Sequence, residues 1–313
     1  MTQFTFFVGV DIASASFMAC VGTAPWSLTV KPVKFDNHED GFASFLNWLK
    51  NNSLIAEKTV VCMEATGVYH ESLAYFLEGN GFEVSIVLPN KISNYFRTLE
   101  VKTITDKTAS EAIAKFGLER KLDKWKRPAE IFRKLKQKTR ERDQLVGERT
   151  LVKNQLHAEQ AEAYPGKESI ARMKTRINLL NKQVTQIKEE MNVLVKQDKD
   201  VKKSVELISS IPGVGTLTAV TVLAETNGFE LIRNKRQLTS YAGLDVKEKL
   251  SGTSVKGKPK ISKKGNRHLR KAMHMPALAA IRYDGRFKVL FTRLVSRHGI
   301  KMKAAVAIQR KLL

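Results

Sequence analysis

Three acidic residues stand where an acid is costly to keep. Asp11 closes the apolar run FFVGVD, Glu64 closes VVCME, and Asp106 opens the segment DKTASEAIAKFG. A carboxylate at the end of a buried strand loses its hydration unless a charged or hydrogen-bonding partner replaces the water. The nearest basic residues in sequence are Lys31 to Asp11 and Lys58 to Glu64, too far along the chain for local neutralisation. Carboxylates at the ends of neighbouring core strands suit hard divalent cations with oxygen ligands, Mg2+ above all. Two such ions about 4 Å apart activate a water or a hydroxyl against a phosphodiester. Each acid also has an ordinary role: a satisfied strand-end carboxylate for Asp11 and Glu64, a helix N-cap for Asp106.

A second group of residues lies in the tract LSGTSVKGKPKISKKGNRHLRKA. Between 247 and 271 there are ten Lys/Arg and one acid, Glu248. Ser251, Gly252 and Ser254 precede Lys256, Lys258, Lys260, Lys263 and Lys264, and a helix then begins near Arg267 and Arg270. A serine hydroxyl is a weak nucleophile until a base or metal takes its proton, and no His–Asp pair adjoins Ser251. Residue types alone therefore favour a flexible phosphate-binding loop, with the arginines suited to backbone phosphates. Upstream, IPGVG sets Gly213 and Gly215 between two apolar helical stretches. That resembles a helix-hairpin-helix whose glycines let backbone N–H groups approach a phosphate, although a tight helix–helix turn would look the same.

The elements that must position these groups are legible from periodicity. FTFFVGVDI, MACVGTA and SLTVKPVKFD read as three strands of an antiparallel meander. Residues 38–50 place Phe42, Phe45, Leu46 and Leu49 at helical spacing, KTVVCMEA is a buried strand, GVYHESLAYFLEGNG a helix and FEVSIVLP a further strand. That order predicts an RNase H-like α/β domain over residues 1–124. Residues 125–204 read as two long helices. The second repeats Ile170, Met173, Ile177, Leu180, Val184, Ile187, Met191 and Leu194 at spacings of 3 and 4, a heptad seam that predicts a coiled-coil hairpin or a pairing between subunits. In the first, Leu145, Val152 and Leu156 keep register while Arg142 and Arg149 interrupt it. Residues 205–313 read as a mainly α C-terminal domain, and its last residues, RKLL, fall inside an apolar helical pattern that suggests continuation.

Composition narrows the partners. The 313 residues carry 54 Lys plus Arg against 31 Asp plus Glu, a net charge of +23. A 42% hydrophobic share excludes intrinsic disorder, and no apolar run reaches the roughly 18–20 residues of a spanning helix. The first Lys is Lys31, so the start lacks the basic flank of a signal peptide. Cys20 and Cys62 give neither a disulfide framework nor a zinc pattern, which suits a reducing cytoplasm. Residues 1–124 hold 12 basic and 14 acidic residues, whereas 125–313 hold 42 and 17. A net of +25 on one part implies a polyanionic partner, nucleic acid before an anionic membrane surface.

VGVDIA, MEATGVYH, LPNKISNYFR and KTITDKTASEAIAKFG resemble the DEDD motif blocks of the bridge-RNA-guided insertion-sequence transposases, the insertion-sequence one-ten family related to the Piv DNA invertase. IPGVGTLTAVTVLAE, YAGLDVKEKLSGTS and ISKKGNRHLRKA resemble that family's C-terminal transposase domain. The resemblance implies a RuvC-like domain whose acids bind Mg2+, with Asp11 first, Glu64 second and Asp106 third. It also implies that Ser251 attacks DNA and becomes covalently linked to it, activated by the metal cluster across subunits. Donor and target DNA, a guide (bridge) RNA and a dimer or tetramer are implied with it.

One position departs from that pattern. The family places a further aspartate three residues into the helix, and here Ala109 stands there. Glu111 is about 140° round the helix from Asp106, a poor substitute. The chain is then either a catalytically disabled variant or an enzyme using three acids. Two other functions share these residues: a metal-dependent nuclease resembling junction resolvases, with Ser251 only binding phosphate, and a catalytically lapsed nucleic-acid-binding scaffold.

Overall fold

A computed structural model describes residues 4–65, 67–99, 103–230, 232–248, 250–251, 255–257 and 259–313, in two compact units, Met1–Arg127 and Pro128–Leu313. In the first unit the order is β1 (Phe6–Ile12), β2 (Ser16–Thr23), β3 (Ser27–Asp36), α1 (Glu39–Asn51), β4 (Thr59–Glu64), α2 (His70–Gly79), β5 (Glu83–Val87), α3 (Pro89–Phe96) and α4 (Asp106–Glu119). The five strands lie in the order β3-β2-β1-β4-β5, with β1, β2 and β3 antiparallel and β4 and β5 parallel to β1. This is a mixed sheet of the RNase H-like kind. β1 and β4 are buried along almost their whole length, so they read as continuous apolar runs instead of alternating ones. One core, around Val10, Phe17, Phe45, Leu49, Leu73 and Leu77, is separate from a second around Cys62, Ile92, Tyr95, Ile113 and Phe116. Cys20 and Cys62 are buried and free, and burial pushes both thiols up to about 12, which leaves them inert.

The boundary of this unit lies beyond residue 124. Trp125 N–H donates to the Val84 carbonyl at 2.8 Å, its ring meets Tyr75 edge-on, and Arg127 sits over the Tyr75 ring at 4.6 Å. These contacts tie residues 125–127 to the sheet.

The second unit starts with α5 (Glu130–Gln160) and α6 (Lys167–Gln197). They run antiparallel, since Lys138 pairs with Glu190 at 2.6 Å and Arg149 donates to Asn181 at 2.9 Å. Ile177, Leu180, Val184, Ile187 and Met191 of the seam are buried as expected, but the next buried residue is Val195, with Leu194 half-exposed. A helix of 3.6 residues per turn drifts from a strict seven-residue repeat, and the burial pattern shifts by one residue there. α7 (Lys199–Ser209) and α8 (Thr216–Thr226) share a core with the hairpin through Leu135, Ile187, Met191, Val205 and Leu223. Residues 125–204 and 205–313 are therefore not separate bodies: the hairpin base closes the core of the helices that follow.

The remainder comprises α9 (Lys235–Tyr241), β6 (Val246–Lys247), β7 (Leu250–Ser251), β8 (Val255–Lys256), β9 (Lys260–Ile261), α10 (Arg267–Ala272), α11 (His274–Tyr283), α12 (Gly285–His298) and α13 (Lys301–Leu312). Where the sequence suggests a flexible loop, two nested antiparallel ladders form, β6 with β9 outside and β7 with β8 inside. No helix among the described residues is long and apolar enough to cross a membrane.

Candidate functional site

Gly9 explains how the acids come together. A Cβ on Gly9 would lie 2.1 Å from the Ser110 carbonyl and 2.3 Å from the Ala114 nitrogen, so α4 rests directly on β1 there. Residues two apart on a strand share a face, which puts Asp11 on the α4 side with Gly9. Gly9 pairs with Cys62 on β4, and Cys62 Sγ is 3.1 Å from a Cβ built on Gly117 of α4. Glu64, two residues on, is on that same side. The close approach of α4 thus aims its first residue, Asp106, at the ends of β1 and β4.

Electrostatics link the three. Burial first, and the Asp106 charge second, push the Asp11 carboxyl up to about 6. Burial first, then the Asp11 charge, raise Glu64. Among the described residues no salt bridge reaches any of these acids, so none of those residues answers their repulsion with an ion pair. The coupling is pairwise with Asp11 as the hub. Among the described residues no three His, Cys, Asp or Glu side chains are close enough together to hold one metal ion. The donor set, oxygen-only and self-repelling, still fits a divalent cation. The N-cap role suggested for Asp106 belongs to Thr105, whose hydroxyl accepts from Thr108 N–H at 3.3 Å in a capping box. Asp106 is left exposed at the first helical position.

Ala109 occupies the next turn on the Asp106 face and is buried. Glu111 acts elsewhere: its charge raises the Cys20 thiol.

A pH prediction follows from Asp11. Its folded value lies above the ordinary 3.8, so its contribution to stability is full below 3.8 and is lost as pH rises through about 6. Without divalent cations, Asp11→Asn should melt several degrees above the parent at pH 7.5 and level with it near pH 4. Mg2+ should raise the melting temperature of the parent at pH 7.5 more than that of Asp11→Asn. A flat difference between the two proteins across this window would reject the assignment.

In the second unit, β7 sets Ser251 opposite Val255. Gly252, Ser254 and Lys258 lie outside the described residues, as do the side chains of Ser251 and Lys256. Lys260, Lys263, Lys264 and Arg267 are exposed. Arg270 is half-buried, and its Nη1 donates to the Ala242 carbonyl at 2.7 Å, a structural duty not visible in sequence. Gly213 has φ +88°, and a Cβ there would meet the Pro276 carbonyl at 2.7 Å. The glycine is thus required by the turn between α7 and α8 and by its approach to α11. Gly215, the N-cap of α8, faces open space.

Sequence reading missed Glu225. Its side chain is fully buried, and Arg140 donates to both of its oxygens, Nε at 2.9 Å and Nη2 at 3.1 Å. Asn266 Nδ2 donates to Glu225 Oε2 at 2.6 Å, and Tyr241 O–H to the Glu225 carbonyl at 2.9 Å. Burial acts to raise this carboxyl, but the hydrogen bonds from Arg140 and Asn266 outweigh it and hold it below the ordinary range. Asn266 Oδ1 also caps α10, accepting from His268 and Leu269 N–H. The network therefore fixes the helix that carries Arg267 and Arg270. The signal was present, an acid ending the apolar run TAVTVLAE, the same pattern as at Asp11 and Glu64.

Residues 8–165 match the DEDD transposase family of IS110 type, and residues 205–291 match the family described as Transposase IS116/IS110/IS902 family. The pilin gene-inverting protein of Moraxella lacunata is 27% identical over 98% of this chain and 93% of its own length. Its counterpart in Moraxella bovis shows the same identity and coverage. The transposase for insertion sequence element IS1111A of Coxiella burnetii is 24% identical over 97% of this chain and 86% of its own.

Proposed function

The chain belongs to the IS110 family of insertion-sequence transposases, and from that premise we propose a chemistry and the residues that carry it. It is an enzyme acting on DNA as a transposase or recombinase. In our reading it exchanges strands by transesterification. The Ser251 Oγ attacks a backbone phosphorus; the O–H proton is released as an Oγ–P bond forms, a P–O bond to a deoxyribose breaks, and the departing oxygen takes up a proton. The phosphoserine ester conserves the broken bond, so a hydroxyl of another strand reverses the step and reseals the backbone. Asp11, Glu64 and Asp106 are the residues that would hold Mg2+, which when bound would neutralise phosphate charge and lower the pKa of a nearby hydroxyl. The observation that carries this reading is the shared α4-side placement of those three acids, coupled in charge and, among the described residues, without a salt-bridge partner.

Lys256, Lys258, Lys260, Lys263, Lys264, Arg267 and Arg270 are assigned to phosphates, and so are the backbone N–H groups of the Gly213–Gly215 turn. The +25 of residues 125–313 exceeds what one short duplex contact needs, which supports a guide RNA as a second polyanion beside donor and target DNA. Exchange of several strands takes several centres, hence a homo-oligomer, dimer or tetramer.

The test traps the chain on a DNA substrate whose departing strand diffuses away, then maps the adduct by mass spectrometry. A DNA-linked peptide containing Ser251 is the expected result. An adduct on another residue, or DNA cut by water with no adduct, overturns it. RNA that co-purifies should complement DNA at insertion junctions. Ala109 favours a second reading for this chain, binding without catalysis, which is tested below through that residue.

A further inference from the structure

Large apolar side chains stand exposed around the acids of the first unit: Val68 and Tyr69 after β4, Leu88 after β5, and Ile104 just before α4. The backbone holds these segments beside the acids. Ala65 N–H donates to the Val87 carbonyl at 2.9 Å, so the segments that follow Glu64 and Val87 leave the sheet side by side. Asn37 Nδ2 donates to the Ala13 carbonyl at 2.9 Å and to the Tyr69 carbonyl at 3.2 Å, which ties Tyr69 to the turn that follows Asp11. Ile104 is two residues before Asp106, whose charge Asp11 feels. Tyr69 differs from the other three. It holds the N-cap position of α2, where Ser, Thr, Asp or Asn would bond the free N–H groups of the helix, and its side chain makes no cap. Its ring lies beside Gly67, at 3.6 Å from where a Cβ would stand, and Gly67 turns the chain there with φ +55°. Tyr69 is 44% exposed and belongs to neither core of the unit. Among the described residues its ring meets no other ring, cation or hydrogen-bonding group.

We propose that Tyr69 is a stacking platform for an unpaired DNA base next to the phosphate held at the acids, with Val68, Leu88 and Ile104 as the apolar rim around that strand. A nucleotide joins a planar base to an anionic phosphate one sugar away. Asp11, Glu64 and Asp106 with a divalent cation suit the phosphate, and the ring beside them suits the face of the base. Other occupants match less of the surface. The apolar face of a second copy would shut like-charged carboxylates off from water with nothing to answer them. A base inside a duplex has both faces covered by its neighbours, so a platform here selects a strand that is locally melted. DNA is preferred to RNA because the family acts on DNA as transposases. The assignment rests on the acids holding a DNA phosphate, as proposed above, and not on the serine step or on turnover. Asn37 is then a positioning residue, since it fixes the Tyr69 backbone against the Asp11 turn.

The test uses the full chain with Mg2+ and a DNA duplex that carries a central bubble of unpaired, photoreactive 5-iododeoxyuridines. Crosslinking on the parent chain, mapped by mass spectrometry, should give a DNA-linked peptide containing Tyr69. Tyr69→Leu should bind the bubble about tenfold more weakly than the parent, the worth of one stacked base, and Tyr69→Phe should stay level with the parent. On the fully paired duplex, and on a bubble whose bases are replaced by abasic sites, the parent and Tyr69→Leu should bind alike. Crosslinks confined to other residues overturn the proposal, as does parent-like bubble binding by Tyr69→Leu or an equal loss on the abasic bubble. Stronger crosslinking of Tyr69 to the RNA counterpart overturns the choice of DNA. A smaller assembly formed by Tyr69→Leu, with no crosslink at Tyr69 in the parent, also overturns it and marks an interface between copies. Mg2+ separates this proposal from the one beneath it. If Mg2+ tightens bubble binding by the parent more than by Asp11→Asn and Tyr69 gives no crosslink, the platform alone falls. If Mg2+ acts equally on both, the phosphate site falls and the platform with it.

Discussion

Replacing Glu225 by alanine is expected to destabilise the helical unit by about 3–5 kcal/mol, the cost of breaking a buried pair from one side. The carboxylate is fully buried, whereas Arg140 is partly exposed, so the residual penalty is divided unequally. Arg140 turns towards water, but Asn266 loses an acceptor at 2.6 Å, and its other oxygen is the cap of α10. Loosening of α10 then displaces Arg267 as well. Trp26, Trp48 and Trp125 all lie in the first unit, so tryptophan fluorescence reports the sheet while far-ultraviolet circular dichroism is dominated by the long helices. The dichroism transition in urea should move to lower denaturant and the fluorescence transition should stay. Arg140→Met with Glu225→Leu should recover much of the loss, since two apolar groups leave no unpaired charge. Because the folded carboxyl titrates below its ordinary range, its contribution is present above the unfolded value and is lost as pH falls through the folded one. Glu225→Gln should flatten the acid limb accordingly. An alanine variant as stable as the parent would show that Arg140 and Glu225 gain no more from each other than from water.

Asp11 and Glu64 were legible because a strand buried on both faces tolerates an acid only at its end, and each acid interrupts an apolar run there. Gly9 carried no such signal. Its role depends on the Ser110 carbonyl resting 2.1 Å from where a Cβ would be, a contact made across about a hundred residues of chain. Thr105 as the cap of α4, instead of Asp106, follows from the backbone turning extended one residue earlier, a boundary that periodicity fixes only to within a few residues. The long helices were legible from spacing, but their union with α7 and α8 was not, because the shared core draws on residues from Leu135 to Leu223. In the basic tract the two-residue strands β6 to β9 are too short for alternation to mark them. Glu225 had the same sequence signature as Asp11, yet its partners, Arg140 and Asn266, lie 85 and 41 residues away, and only the fold supplies them.

Introducing the missing carboxylate, Ala109→Asp, is expected to raise Mg2+-dependent strand cleavage or exchange on the order of 100-fold, about 2.7 kcal/mol of barrier. Ala109 follows Asp106 by three residues, so the new group stands on the same helix face one turn on. The site is buried at 8% exposure, and Asp11 already feels both burial and the Asp106 charge. A further carboxylate there without metal should therefore lower the melting temperature at neutral pH. Added Mg2+ should restore it, and by more than it raises the parent. Ala109→Asn has the same size without the charge, so it should give neither the instability nor the gain. Stability and activity separate the alternatives for this chain. If metal restores the aspartate variant and exchange rises, the parent lacks a ligand and its chemistry is impaired at that position. If metal restores stability but exchange does not rise, Asp11, Glu64 and Asp106 suffice or catalysis has lapsed elsewhere. Parent turnover then decides between those two. Glu111 offers no way round the substitution, because its charge falls on the Cys20 thiol of β2. Under the proposed metal-binding reading, residue 109 would set how many oxygen ligands α4 contributes, and with alanine there the helix would offer Asp106 alone.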